Sequence, residues 1–172
     1  RLTVQLTAAQ DVYFNYRQLL STGYRHDNCQ FYMPGFWYRR NLRSPKKAPS
    51  FHTSDSWLLR EDRLSAPLTG IFSEKEKRFM TVNRLDDFSM DALATHKEGE
   101  IILSGKTSLG FTGFENQQGI AMLSFGFPYR EAPKSYIRKL TLAPEVEAFQ
   151  LMKKGESVLL TWEIMESGAD DF

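Results

Sequence analysis

The chain has 172 residues, with Lys+Arg 22 against Asp+Glu 21, a net charge of +1 and an aromatic share of 13%. That balance excludes a partner held by bulk electrostatics, such as nucleic acid or an anionic membrane surface. No run of about eighteen apolar residues is present to cross a membrane. The single cysteine, Cys29, excludes an internal disulfide and a multi-cysteine zinc knuckle. His26, His52 and His96 are scattered without metal-ligand spacing, so no metal and no cofactor is expected.

The elements read as β from the start. Leu2, Val4 and Leu6 alternate with Thr3, Gln5 and Thr7, the period of a half-buried strand, and Val12, Phe14 and Tyr16 repeat the pattern. Ser21-Thr22-Gly23 closes that run. Residues 42–56, rich in Pro, Ser and charge, read as a long surface loop. Trp57–Glu61 resumes strand character. Pro67–Phe72 and Arg78–Asn83 flank the charged Ser73–Lys77 and predict a hairpin with a solvated tip. A short helix fits only at Asp86–His96.

After Glu100 the β signal is continuous. Ile101–Leu103 precedes Leu109–Phe114 and Gly119–Phe127, joined by Glu115–Gln118. The last of these is apolar on both faces, which predicts a central strand covered on both sides. Tyr136–Leu142 and Val146–Met152 follow. Ser157–Ile164 turns Val158, Leu160, Trp162 and Ile164 to one face and Ser157, Thr161 and Glu163 to the other. Roughly ten to twelve short strands predict an all-β, antiparallel β-sandwich or barrel of one domain over residues 1–172. Phe14, Leu123, Phe125, Val158, Leu160, Trp162 and Ile164 are the predicted core.

The stretch Tyr24–Asn41 (YRHDNCQFYMPGFWYRRN) concentrates the candidate chemistry. Aromatic rings interleaved with forked donors suit a sheet with one buried face, and equally a surface that stacks on sugar C–H faces and catches hydroxyls. Trp37, Tyr38, Arg39 and Arg40 are the candidate ligand-binding residues. Strand alternation puts Trp37 with Arg39 on one face and Tyr38 with Arg40 on the other. His26 and Asp27 lie nearby to supply hydrogen bonds. Trp57 joins the set, within the densely charged Asp55-Ser-Trp-Leu-Leu-Arg60-Glu61-Asp62-Arg63. That segment reads either as a salt-bridged edge strand or as a surface meeting a sugar or another domain. Asp27, Asp55, Glu61 and Asp62 are the carboxylates available to glycosidase chemistry, which needs two across one bond.

Three stretches carry a family resemblance: Gly35-Phe-Trp-Tyr-Arg-Arg-Asn41, Asp55–Leu68 and Leu151–Ile164 with its Gly-Glu-Ser turn. On these the chain resembles the N-terminal β-sandwich domain (supersandwich, or galactose-mutarotase-like) of large bacterial polysaccharide-degrading enzymes, in which a helical (α/α) toroid follows. The resemblance implies periplasmic or extracellular work on carbohydrate. It also implies a catalytic helical domain beyond Phe172 and principal catalytic carboxylates outside this chain. Arg1 is not a start methionine and 166–172 reads as a linker, so the chain is expected to be part of a longer multidomain enzyme.

Three other readings compete with a site-supporting sandwich domain. One is an independent carbohydrate-binding module that stacks sugars on Trp37, Tyr38 and Trp57. Another is a small enzyme using His26 and a carboxylate as acid and base. The last is a lipocalin-like carrier, to which Gly35-Phe36-Trp37 gives the G-x-W signature.

Overall fold

The computed structural model describes residues 1–36, 51, 54–86, 99–103, 105–133, 135–137, 140–141 and 145–170. The strands are β1 (Leu2–Thr7), β2 (Val12–Phe14), β3 (Tyr16–Arg25), β4 (Cys29–Tyr32), β5 (Ser56–Arg60), β6 (Leu68–Ser73), β7 (Arg78–Arg84), β8 (Gly99–Ile102), β9 (Phe111–Gln117), β10 (Ile120–Phe127), β11 (Arg130–Glu131), β12 (Ser135–Ile137), β13 (Leu140–Thr141), β14 (Val146–Met152) and β15 (Ser157–Gly168). Eleven of these fifteen described strands are four residues or longer. Two 3₁₀ turns, His26–Asn28 and Glu61–Arg63, are the only helical pieces among the described residues. Most of Asp86–His96, where the sequence allows a helix, lies outside those residues.

Two antiparallel sheets form the sandwich, one in the order β1-β15-β7-β6-β4 and the other β3-β10-β9-β5. Their facing sides meet in one cluster that includes Phe31, Ile71, Val82, Leu160 and Trp162 from the first sheet. The second sheet adds Trp57, Leu59, Phe114, Leu123 and Phe125. Rings interlock across the layers, with Phe125 and Trp162 5.1 Å apart and Phe31 and Phe114 4.9 Å apart in edge or tilted contacts.

A third, smaller sheet runs β11-β14-β2, and β8 adds to β14 as a parallel strand, the one parallel pairing among the described residues. Its inner side forms a second cluster of Ile101, Leu103, Leu109, Tyr129, Val146 and Ala148. Ala132 trades two backbone hydrogen bonds with Leu58, at 2.7 and 3.1 Å, and so fastens this sheet to the free edge of β5.

Local chemistry accounts for the elements. β1 alternates half-buried and exposed residues, and β14 alternates buried and half-buried ones. β10 is buried along nearly its whole length, the doubly covered strand its composition implies. The β9–β10 turn is tighter than expected, with only Gln118 and Gly119 outside the strands, at φ 52° and 87°. Positive φ at both positions makes it a two-residue hairpin turn, and the Asn116 side chain accepts the Gly119 N–H at 2.9 Å.

Leu123, Phe125, Leu160 and Trp162 are buried as expected, whereas Phe14, Val158 and Ile164 are half-buried and pack on the cluster from its margin. Val158 and Ile164 flank the sealed Leu160–Trp162 stretch of β15, so each keeps some contact with water. Thr161, on the face opposite that apolar row, is 4% accessible. The Leu85–Asp86 segment crosses it: the Leu85 N–H donates to the Thr161 carbonyl at 2.9 Å, and the Thr161 N–H to Asp86 at 2.8 Å.

Candidate functional site

The chain leaves β3 at Arg25 and makes the His26–Asn28 turn before β4. The His26 amide donates to the Gly119 carbonyl at 3.0 Å, which ties this turn to the β9–β10 hairpin. His26 Nδ1 lies 3.1 Å from an Asp27 carboxylate oxygen, with the imidazole 16% and the Asp27 side chain 55% exposed. Arg25 approaches the same carboxylate at 3.5 Å. The ring of Phe51 meets His26 edge-on at 5.2 Å and Phe31 at 5.5 Å.

Phe36 and Phe51 bracket residues 37–50, and both are half-buried against the core. On the Phe36 side, Pro34-Gly35 forms a turn closed by Phe36 N–H to the Met33 carbonyl at 2.9 Å. The Ser65 amide donates to the Pro34 carbonyl at 3.0 Å, and Gly35 sits so close to Ser65 that a Cβ there would collide with its side chain. Trp37, Tyr38, Arg39 and Arg40 themselves lie outside the described residues, as do His52 and His96. Of the candidate site, His26 and Asp27 stand together beside Phe51, at one end of the segment that holds the other four.

Trp57 is elsewhere. It is 1% exposed, lies cross-strand from Phe114 inside the sandwich, and donates its indole N–H to the Ser54 carbonyl at 3.1 Å. A ring closed on both faces cannot stack on a ligand, so Trp57 is a core residue and not part of an exposed platform. Its position follows from strand alternation. On β5, Trp57 and Leu59 face the sandwich, while Leu58 and Arg60 face the third sheet, which also buries them.

Asp55, ahead of Trp57, is exposed, but Arg60 and Glu61 after it are interior. Arg84 contacts Glu61 at 2.6 Å, the Ser108 carbonyl at 2.9 Å and Asp86 at 3.3 Å. Glu61 also accepts the Gly110 amide at 2.8 Å. Arg60 pairs with Asp62 and stands over the Tyr129 ring at 5.0 Å, while Arg63 pairs with Glu131. Burial pushes the Glu61 carboxyl up from its ordinary value, against the pull of Arg84 and the Gly110 amide. Burial likewise raises Glu131 against Arg63 and Arg60. For Arg60, burial works against the charge, yet hydrogen bonding to Asp62 holds its pKa above the ordinary value. One oxygen of Glu61 and one of Glu131 have no hydrogen-bond partner.

β5 is an edge strand and the segment carries ion pairs, as one reading of Asp55–Arg63 has it, but Trp57–Glu61 are buried instead of facing water or a sugar, and Asp55 at the start stays exposed. Glu61 and Asp62 are sealed or nearly so, and closed to a glycosidic oxygen. Sequence could not show it, because the partners are remote in the chain: Arg84, Gly110 and Glu131.

The network also joins the segments. Pro34-Gly35 rests on Ser65, and Arg84, bound to Glu61, lies in register with Trp162 of β15. Of the three stretches, Asp55–Leu68 therefore touches Gly35 through Ser65 and reaches β15 through Arg84, while residues 37–41 lie outside the described residues. No described helix is long and apolar enough to cross a membrane, and no group of three potential metal ligands occurs among the described residues. The chain matches no family model, no curated protein and no solved structure.

Proposed function

We propose that the chain is a non-catalytic, site-supporting β-sandwich domain of a secreted or periplasmic glycan-degrading enzyme. It packs on a catalytic helical domain and lends the residues from His26 to Phe51 to that domain's cleft. The observation that carries this reading is the His26–Asp27 pair, set edge-on against Phe51 at 5.2 Å beside one end of the segment holding Trp37–Arg40. His26 offers an imidazole and Asp27 an exposed carboxylate to a hydroxylated ligand, and Trp37 and Arg39 add a ring and a planar fork. The burial of Glu61 behind Arg84 supports a lending role over independent hydrolysis, since it withdraws one of the few candidate acids from any substrate.

The test is made in the full-length enzyme. His26→Ala and Trp37→Ala should each lower kcat/KM on the natural glycan about tenfold or more, a loss of at least about 1.4 kcal/mol in transition-state binding. Thermal unfolding of the domain should stay unchanged. Turnover at the wild-type level in both variants would overturn the proposal, as would hydrolysis by residues 1–172 alone. Unfolding on Trp37→Ala would assign that ring to the core.

A further inference from the structure

The outer face of the third sheet holds a feature that neither the sandwich core nor the His26 region uses. Strand alternation on β14 turns Gln150 and Met152 inward and leaves Phe149 and Leu151 on the opposite face. Leu151 lies in register with Tyr13 of β2, and Phe149 with Ile102 of β8. Tyr13 is 51% exposed and Ile102 65%, among the most open large apolar side chains described. A groove of about 510 Å³ runs between them, with Tyr13, Ile102 and Leu151 as its apolar lining and Lys106, Lys153 and Glu156 at its rim. That volume falls within the roughly 300–1,000 Å³ common for small-molecule sites.

The rim chemistry narrows the ligand. Lys106 pairs with Glu156 at 2.9 Å, and Lys153 pairs with Asp11, also at 2.9 Å. The carboxylates are further fixed by backbone: the Lys153 amide donates to Glu156 and the Lys154 amide to Asp11. Two cations and two anions cancel, so a charged ligand would gain at one partner what it loses at the other. The Lys106, Lys153 and Glu156 side chains still present donors and an acceptor in the groove that the half-exposed Tyr13 ring lines. An aromatic ring beside such groups fits a molecule with C–H faces and peripheral hydroxyls.

We propose that this groove binds a neutral oligosaccharide, with a sugar ring on Tyr13 and its hydroxyls hydrogen-bonded to Lys106, Glu156 and Lys153. The site is separate from the His26–Asp27 region and operates in residues 1–172 without a partner domain, so it stands or falls independently of the proposed function.

Residues 1–172 would be titrated with neutral cello-, xylo- and manno-hexaose, and with hexagalacturonate as the anionic control, following backbone amide resonances and heat of binding. At least one neutral hexaose should bind and shift the amides of Leu103, Lys106 and Lys153. Tyr13→Ala should weaken that binding about tenfold while Tyr13→Phe preserves it. If Tyr13→Ala lowers the unfolding temperature, Lys106→Met takes its place, and a several-fold loss is expected. Absence of binding by every neutral hexaose at millimolar concentration overturns the proposal, as does tighter binding of hexagalacturonate. Binding abolished by Trp37→Ala but untouched by Tyr13→Ala also overturns it, and would move the sugar site to the segment after Phe36.

Discussion

Arg84 and Glu61 meet at 2.6 Å with side chains only 4% and 1% exposed, a charge pair wholly inside the molecule. Deleting one member strands the other. Glu61→Leu should therefore destabilise the chain by about 3–5 kcal/mol, whereas Glu61→Leu combined with Arg84→Met should cost less than the single change. Urea unfolding of the three proteins measures both. A double variant as damaged as Glu61→Leu, or more so, would show that removing the stranded Arg84 charge brings no relief.

The pH dependence of Glu131 carries a sign opposite to that of a surface ion pair. Burial raises its carboxyl above the ordinary 4.5, so the folded chain keeps a proton that the unfolded chain has released. Stability from this group is therefore present in full below 4.5 and is lost as pH rises through the folded value. The stability advantage of wild type over Glu131→Gln should narrow as pH rises above that point. Denaturation across the acid-to-neutral range tests it, and a gap that widens with pH would mean that attraction to Arg63 outweighs burial.

Trp57 offers a direct choice between core and platform. Trp57→Ala should cost about 3–5 kcal/mol, as for other large rings removed from a packed interior. A loss below about 1 kcal/mol, read by thermal or urea unfolding, would show that the indole contributes little to packing.

Gly113 on β9 lies against the β5 backbone, where an added Cβ would run into the Trp57 carbonyl and come within 2.8 Å of Leu58 Cα. Gly113→Ala should part β5 from β9 and cost about 1–3 kcal/mol or more. Wild-type unfolding temperature in that variant would show that the strands separate without penalty.

The sandwich was legible in the sequence wherever one strand's own alternation decided its facing. Val158, Leu160, Trp162 and Ile164 announced β15, and the Glu-Lys tip between Ser73 and Arg78 announced the β6–β7 hairpin. What alternation leaves open is whether a polar face meets water or another layer. Arg60 and Glu61 looked solvated because charge usually is, yet the third sheet and Arg84 enclose them. The parallel β8–β14 pair was equally hidden, since Gly99–Ile102 gives no sign of which strand it will join. His26 and Asp27 were legible as a pair from adjacency alone. The contact of His26 with Phe51 required the fold, since the two lie 25 positions apart.

The pairing of β1 with β15 sets an order of events during synthesis. Leu2 lies opposite Trp162 and Thr7 opposite Ser157, so β1 waits for β15 before these hydrogen bonds can close. A ribosome would have to deliver residues 8–156 after β1 before its neighbour began to emerge. Until then Leu2, Val4 and Leu6 have no apolar surface on β15 to cover them, and this interval is when the nascent chain is most exposed to association with other unfinished chains.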